Sequence, residues 1–202
     1  MLDLVLSGVL GYLIGSTPTA FLLVRWKANV DIRGVGSGNV GALNSFQVSR
    51  SKWVGAGVLL LDLLKGVSAI ELASVLVGQG FSVQATAGVA AVVGHNFPIW
   101  LRLKGGRGLA TAAGVMLVIA WPLIALWGLL WVTGYACTKQ VNVGNAIACA
   151  TALIGVLAAP DGVLSVLVGL SQAPLEFRFF CLALFSVILA KHIGPVREYV
   201  RK

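Results

Sequence analysis

The chain has 202 residues, of which 58% are hydrophobic and 11% are charged, and its mean hydropathy is +0.92. This composition excludes an ordinary soluble enzyme and is typical of a protein with several membrane-spanning helices. The formal net charge of +8 does not indicate nucleic-acid binding, because the basic residues lie in short segments between apolar runs, where they orient membrane helices. We therefore predict a membrane lipid environment and no nucleic-acid partner.

Seven apolar runs predict an all-α polytopic membrane protein with about seven transmembrane helices in a single domain, residues 1–202. The runs are 4–24, 53–78, 81–100, 109–120, 123–138, 143–159 and 174–190. The runs 109–120 and 123–138 are short for a hydrocarbon core of roughly 30 Å. An eighth run, 163–169, is too short to span a membrane, and we predict that it lies along the outer interface.

Lysine and arginine residues predict the orientation of these helices. They are concentrated in the segments after the first, third, fifth and seventh runs. The positive-inside rule places those segments in the cytoplasm. The N-terminus is then outside and the C-terminus inside.

The first basic segment contains the sequence GSGNVG at residues 36–41, which matches G-x-G-x-x-G. No strand pattern precedes it, so a dinucleotide-binding turn is excluded. Small residues still allow backbone N–H groups to converge on an anion. Ser37, Asn39, Asn44 and Ser45 add hydrogen-bonding groups to the same loop. A phosphate-binding loop and a plain glycine-rich turn before a helix are both compatible with this segment.

Asp62 and Lys65 are charged residues within the second apolar run. Their spacing of three predicts that they are neighbours on one helix face. Charged residues inside a membrane indicate a functional site, but a mutually paired Asp and Lys also serves structure alone. Both interpretations remain open.

A second glycine loop follows the third run, in the segment GHNFPIWLRLKGGRG at residues 94–108. Lys104 and Arg107 flank two glycines there, and the segment again precedes a predicted helix on the cytoplasmic side. His95 and His192 fall at the same predicted boundary, where each is either a packing histidine or part of a site. No cluster of His, Cys and carboxylate residues is evident, so we predict neither a metal nor a cofactor. Two such loops on one face predict a phosphate-bearing ligand.

Four motifs carry a family resemblance: GSGNVGALN (36–44), LDLLKG (61–66), GHNFPIWLRLKGGRGLAT (94–111) and KH (191–192). Because these motifs occur in this order along the chain, the chain resembles the PlsY-type acyl-phosphate:glycerol-3-phosphate acyltransferases. The resemblance implies a seven-helix enzyme of phospholipid synthesis in the bacterial cell (inner) membrane, with its active-site loops in the cytoplasm. Such an enzyme moves a fatty acyl group from acyl-phosphate to the sn-1 hydroxyl of glycerol-3-phosphate and gives lysophosphatidic acid and phosphate. No protein partner is evident from the sequence.

The resemblance also implies roles for individual residues. Catalytic roles fall on Ser37, Lys104 and His192, with Lys104 the best candidate for stabilising phosphate charge. Substrate-binding roles fall on a larger set in the two loops: Gly36, Gly38, Asn39, Gly41, Asn44, His95, Asn96, Gly105, Gly106, Arg107, Gly108 and Thr111. Acyl-phosphate is already activated, so positioning and charge neutralisation suffice for the reaction.

The chain departs from the family pattern at several polar positions. Gln47 stands where the family has arginine, Asn142 and Asn145 replace serines, and Ile193 and Pro195 replace an arginine and an asparagine. Glutamine cannot make the charged bidentate contact of arginine, and proline has no N–H to donate. The alternative hypothesis is therefore a weakened or inactive member that binds lipid or phosphate as a subunit or regulator of a membrane assembly.

Overall fold

The computed structural model describes residues 1–168 and 174–201, and these residues form helices without β-strands. The helices are α1 (Leu2–Gly15), α2 (Thr19–Ala28), α3 (Ala42–Ser49), α4 (Lys52–Leu76), α5 (Phe81–Asn96), α6 (Leu109–Ile119), α7 (Trp121–Thr138), α8 (Val141–Ala158), α9 (Asp161–Val168), α10 (Pro174–Ala190) and α11 (Ile193–Val200). Short 3₁₀ turns occupy Ile32–Gly34 and Ile99–Leu101. The predicted all-α class is confirmed.

Among the described residues, three helical stretches are long and apolar enough to cross a membrane: Leu2–Ala28, Trp121–Thr138 and Val141–Ala158. The pair α10 and α11, bent by 53°, qualifies together as a fourth. Helix α4 is 25 residues long but carries Asp62, Lys65 and Glu71. The total of seven spans and the orientation of the chain stay predictions.

Prolines explain two differences between the predicted runs and the helices. The first run is interrupted between Gly15 and Thr19, where Pro18 precedes α2. The predicted end of the third run at residue 100 is wrong, because α5 ends at Asn96. Pro98 cannot supply a helical N–H, and it disfavours a helical conformation at the residue before it.

The remaining differences concern short helices. Helices α3 and α11 lie outside the apolar runs, and apolar periodicity did not predict them. Helix α9 covers the described part of the run 163–169, while residue 169 lies outside the described residues. The described part of α10, Pro174–Ala190, coincides with its run and ends where the run ends. Long apolar helices were thus easier to predict than short polar ones.

The chain divides into two compact units, residues 1–115 and 116–202. The prediction of a single domain stays a prediction. In the first unit, α1 and α5 approach closely through small residues, because a Cβ on Gly11 or Gly15 would overlap the backbone of Ala87 or Ala91. Gly94 lies equally close to the backbone of α1. Such contacts let membrane helices pack at short range, and they fix the C-terminal end of α5.

The second unit is built around α7, α8 and α10. Gly134 of α7 faces Gly144 of α8, and the Trp127 Nε1–H donates to Cys149 Sγ over 3.2 Å. The Arg178 guanidinium of α10 lies 2.6 Å from the Asp161 carboxylate of α9. These contacts join neighbouring helices within the unit.

Candidate active site

The first glycine loop is closed by one buried amide, that of Asn44 in α3. Its Oδ1 accepts a hydrogen bond from the Ser37 N–H over 3.0 Å. Its Nδ2 donates to the carbonyls of Val35 (3.1 Å) and Asn39 (3.0 Å), with the Ile32 carbonyl at 3.4 Å. A single side chain therefore satisfies several backbone groups that the irregular loop leaves without helical partners.

The glycines of this loop are required by its backbone. Gly36 and Gly38 have φ values of 63° and 68°, in the left-handed region that glycine adopts at little cost. A Cβ on Gly36 would also overlap the Asn44 amide. Asn44 was predicted to bind substrate; its amide is engaged with the loop backbone, so substrate contact stays a prediction for it.

The other predicted residues of the first loop differ in their exposure, and Gly41 is buried. Ser37 is exposed, and its hydroxyl makes no hydrogen bond within the described residues. Asn39 is half-buried, and its carbonyl also accepts from the Gly41 N–H over 3.1 Å. Gly41 precedes the first turn of α3. Ser37 is thus the side chain of this loop that is best placed to meet a ligand.

The second glycine loop packs against the end of α5. The Gly106 N–H donates to the His95 carbonyl over 3.1 Å. A Cβ on Gly106 would overlap both the His95 imidazole and the Val40 carbonyl, and one on Gly105 would overlap the carbonyls of His95 and Asn96. Val40 belongs to the first loop, so the structure brings the two predicted glycine loops into contact at Gly106.

The remaining predicted residues of the second loop divide between surface and interior. Lys104 is exposed and Arg107 is half-buried. Gly108 has a φ of 81° and lies against the Asn96 amide. Asn96 and Thr111 are fully buried. Their contact with substrate stays a prediction, and Lys104 is an exposed cation of this loop.

A buried polar cluster lies behind the second loop, centred on Asp62 of α4. Its Oδ1 accepts a hydrogen bond from the Thr19 hydroxyl over 2.5 Å and lies 2.9 Å from the Lys65 Nζ and 3.6 Å from the His95 Nδ1. Asp62 is 1% exposed, and Lys65 and His95 are each 7% exposed. The predicted pairing of Asp62 with Lys65 is confirmed.

The break between α1 and α2 completes this cluster. The Lys65 Nζ donates to the Thr17 carbonyl over 3.1 Å, one of the backbone groups that the interrupted helix leaves without a helical partner. Buried charges are tolerated when paired and hydrogen-bonded. Sequence reasoning missed this part because Thr19 is 43 residues from Asp62, and neither Thr17 nor Thr19 belongs to a recognisable motif.

A half-buried ion pair borders the first loop. The Arg33 Nη2 lies 2.6 Å from the Asp31 Oδ2. This hydrogen-bonded arginine lowers the pKa of Asp31 to about 2, and the carboxylate raises the pKa of Arg33 above its ordinary value. Arg33 also donates to the Leu101 carbonyl over 3.3 Å and lies over the Phe21 ring. The pair therefore ties the start of the first loop to the turn before the second.

His192, the predicted catalytic histidine, belongs to the second unit and is buried. Its Nδ1 lies 2.8 Å from the Ile188 carbonyl oxygen. Because a carbonyl oxygen only accepts hydrogen bonds, Nδ1 carries the proton and Nε2 is the basic nitrogen of the neutral ring. The helix thus selects one tautomer.

Two positions that depart from the family pattern lie together in the second unit. Asn142 and Pro195 line the same cavity of about 90 Å³, with Glu198 and Tyr199 beside them. Asn145 is buried one turn further along α8. That residues 142 and 195 share a cavity could not be predicted from sequence, because the two residues lie on different helices.

Within the described residues, no group of three or more His, Cys, Asp or Glu side chains is placed to hold a metal ion. The absence of a metal or cofactor stays a prediction.

Sequence comparison gives a consistent family description. The family described as glycerol-3-phosphate acyltransferase matches residues 5–202. A glycerol-3-phosphate acyltransferase of Myxococcus xanthus is 38% identical over 194 residues, which are 96% of this chain and 94% of the relative. One of Paramagnetospirillum magneticum is 42% identical over 163 residues, or 79% and 75% of the two chains.

Structural comparison agrees. The chain is similar to the crystal structure of PlsY, an integral membrane glycerol 3-phosphate acyltransferase, in its glycerol 3-phosphate form. The TM-score is 0.79 at 26% identity, and the match covers 98% of this chain and 92% of PlsY. The lysophosphatidic acid form of PlsY matches with a TM-score of 0.77.

Proposed function

The chain belongs to the glycerol-3-phosphate acyltransferase family, and from this premise we propose that it transfers a fatty acyl group from acyl-phosphate to the sn-1 hydroxyl of glycerol-3-phosphate. The products are lysophosphatidic acid and inorganic phosphate, and the reaction belongs at the cytoplasmic face of a bacterial cell membrane. The observation that carries the proposal is the contact of the two glycine loops at Val40 and Gly106.

The proposed reaction exchanges one acyl–oxygen bond for another. The glycerol-3-phosphate hydroxyl oxygen bonds to the acyl carbon, and the bond from that carbon to the phosphate oxygen breaks. The hydroxyl proton passes through a base to the departing phosphate. Because acyl-phosphate is a mixed anhydride, the protein contributes positioning and charge stabilisation without forming an acyl-enzyme.

Lys104 and Ser37 are assigned to the phosphate groups. Lys104 is exposed beside Gly105 and Gly106, and it makes no ion pair within the described residues. Its ammonium group stabilises the charge that develops on the phosphate leaving group. The exposed Ser37 hydroxyl donates a further hydrogen bond to a phosphate oxygen.

His192 is assigned to the proton. In the neutral ring, the hydrogen bond from Nδ1 to the Ile188 carbonyl makes Nε2 the basic nitrogen, and we propose that Nε2 accepts the proton of the substrate hydroxyl. The tautomer fixed by α10 supports this role. A His192→Gln variant, which cannot take up the proton, is expected to lower kcat more than it raises KM.

The donor and the acylated position are tested with purified protein in lipid nanodiscs. Labelled glycerol-3-phosphate is supplied with acyl-phosphate or, separately, with acyl-coenzyme A of the same chain, and the product is analysed for the acylated hydroxyl. We expect sn-1 lysophosphatidic acid from acyl-phosphate alone. A preference for the thioester, or acylation at sn-2, would overturn the proposal.

The alternative of a non-catalytic member is favoured by the shared cavity of Asn142 and Pro195. Gln47→Arg separates the two hypotheses, because Gln47 is exposed on α3, the helix that carries Asn44. Restoring the cation is expected to raise kcat/KM about tenfold in an active enzyme, the size of one charged hydrogen bond. Undetectable product from folded wild type and from Gln47→Arg alike would support the non-catalytic alternative.

A further inference from the structure

The break between α1 and α2 meets α4 at a residue to which no motif of the sequence assigns a role. Thr19, the first residue of α2, donates its hydroxyl proton to Asp62 Oδ1 over 2.5 Å. Thr19 is half-buried and Asp62 is 1% exposed, so water is largely excluded from this hydrogen bond. Hydrogen bonds are electrostatically stronger in such surroundings. The threonine hydroxyl therefore helps to fix the direction of the carboxylate.

A single carboxylate oxygen joins the members of this cluster. Asp62 Oδ1 also lies 2.9 Å from the Lys65 Nζ and 3.6 Å from the His95 Nδ1. Because these contacts converge on one oxygen, a rotation of the carboxylate changes all of them together. Thr19 is the uncharged partner of that oxygen. Removal of its hydroxyl therefore disturbs the orientation of the carboxylate while the charges of the cluster stay in place.

The His95 ring connects the cluster to the second glycine loop. Its Nδ1 faces Asp62, and its Nε2 lies where a Cβ on Gly106 would be. The ring thus stands between the carboxylate and the backbone of Gly106. The Gly106 N–H also donates to the His95 carbonyl over 3.1 Å. A rotation or shift of the imidazole must consequently displace Gly106.

Little free space separates these groups. A cavity of only about 10 Å³ is lined by Thr19, Lys65, His95 and Val40 of the first loop, among others. Such a volume holds about one water molecule at most. Closely packed interiors transmit strain because they contain few voids that could absorb a displacement. A change at Thr19 should therefore reach both loops.

Two hydrogen bonds hold the end of α1 against the turn that precedes the second loop. The Trp100 Nε1–H donates to the buried Ser16 hydroxyl over 3.0 Å, and the Tyr12 hydroxyl donates to the Phe97 carbonyl over 2.8 Å. The helix break is thereby fixed relative to the segment that leads to Lys104. Thr19 acts from a frame that is already attached to the loop.

We propose that Thr19 is a positioning residue for acyl transfer. It acts through Asp62 and His95 and sets the place of Gly106, and with it that of the neighbouring Lys104. The inference rests on the proposed function, because that function makes the second loop the site where the charge of the leaving phosphate is stabilised. The helix break is then part of the support of that loop.

Three matched variants test the role of the hydroxyl in turnover. Thr19→Val removes the hydroxyl and keeps the branched shape, and Thr19→Ser keeps the hydroxyl. Thr17→Val makes the same change at an exposed position and retains the carbonyl that accepts from Lys65. Each is assayed well below its own unfolding midpoint.

Thr19→Val is expected to lower kcat about tenfold and to change the KM for glycerol-3-phosphate by less than about twofold. Misplacement of a reacting or stabilising group by about 1 Å can cost up to about a hundredfold in rate. Thr19→Ser and Thr17→Val should retain kcat close to that of wild type. A loss in Thr19→Ser as large as in Thr19→Val would contradict the role of the hydroxyl.

Two further measurements need no turnover. The chain has two histidines, so ¹⁵N-histidine labelling reports on His95 and His192, and the His192→Gln variant assigns their signals. Thr19→Val should shift the ring nitrogen signals of His95 and leave those of His192 unchanged. Hydrogen exchange at residues 104–108 should increase in Thr19→Val. Thr17→Val should change neither measurement.

Several results would overturn the inference. Unchanged His95 signals in Thr19→Val would show that the hydroxyl does not orient the cluster. Equal changes in Thr17→Val would indicate general loosening of the helix break. A lower unfolding midpoint with unchanged kcat and unchanged loop exchange would show a structural role alone. Absence of product from folded wild type is a different failure, which concerns the acyltransferase proposal and leaves the histidine and exchange measurements decisive for Thr19.

Discussion

The two glycine loops both contain closely spaced glycines but are held in different ways. The first is organised locally, by Asn44, which lies within or next to the segment that it closes. The second is supported from a distance, because Gly106 rests on His95 and His95 faces Asp62 of α4. A glycine pattern alone therefore does not reveal whether its cause is local backbone geometry or close tertiary packing.

The glycines themselves show the same contrast. Gly36 and Gly38 have positive φ, so a side chain strains their backbone. Gly105 and Gly106 are absent from the positive-φ residues of the described chain, and what they lack is space for a Cβ. Damage to the first loop should accordingly stay local, whereas damage to the support of the second should spread to α1, α4 and α5.

The largest effect is expected from Asp62→Asn, which removes the charge behind the second loop. Lys65 would remain buried without its counter-charge, at a cost of about 3–5 kcal/mol in the free energy of unfolding. Thermal unfolding in detergent measures the change. The matched control is Glu71→Gln, which removes an exposed carboxylate on the same helix. It should leave the unfolding temperature unchanged. The double variant Asp62→Asn/Lys65→Met is expected to regain much of the lost stability, because it removes both buried charges. A loss of stability well below about 3 kcal/mol in Asp62→Asn would contradict the structural role of the cluster.

Asn44→Ala, which removes the side chain that organises the first loop, should have the second-largest effect on stability. Removing the amide leaves the Ser37 N–H and several carbonyls without their partner, which costs about 2–4 kcal/mol when each buried group contributes 1–3 kcal/mol. The effect should appear as increased hydrogen exchange confined to residues 32–44. Leu43→Ala, at an exposed neighbour, serves as control. Exchange that increases equally around α4 would contradict the local organisation of this loop.

Gly106→Ala tests close packing without changing any charge. The added methyl group meets the His95 ring and the Val40 carbonyl, and such overpacking costs about 1–3 kcal/mol. Activity should fall more than stability, because the two loops are forced apart. Gly80→Ala, where a Cβ meets open space, should leave both unchanged. A fully active Gly106→Ala protein would refute the importance of the contact.

The smallest effect is the pH dependence of the Asp31–Arg33 pair. Because the folded-state pKa of Asp31 lies near 2, below its ordinary value of 3.8, the pair stabilises the fold fully above about pH 4. That stabilisation is lost as the pH falls from about 4 toward 2. Comparing unfolding midpoints of wild type and Asp31→Asn across this window measures it. The difference in unfolding midpoint between wild type and Asp31→Asn should shrink as the pH falls. A difference that grows toward low pH would contradict the stabilising role of the pair.

Sequence reasoning succeeded where a signal was strong and local. An apolar run predicted the described part of α10, and the spacing of Asp62 and Lys65 predicted their contact. It failed at residue 100, where Pro98 ends α5 early. It also failed for α3 and α11, which are short and gain their stability from packing that periodicity does not show.

The candidate site was predictable as a set of residues but not as an arrangement. Both glycine loops were identified, yet their contact through Val40 and Gly106 depends on long-range packing. The engagement of Asn44 with its own loop also required coordinates. Thr19 and Thr17 gave no sequence signal at all, since their roles follow from a helix break that only the tertiary fold positions against Lys65.

The most direct test of the central claim is product formation by purified wild type and Lys104→Ala, with Lys27→Ala as the control for an exposed cation. With acyl-phosphate and labelled glycerol-3-phosphate, wild type and Lys27→Ala should form lysophosphatidic acid at similar rates. Lys104→Ala should be slower by about a hundredfold or more, the usual effect of removing a group that stabilises transition-state charge. Absence of product from folded wild type, or equal rates in Lys104→Ala, would contradict the account.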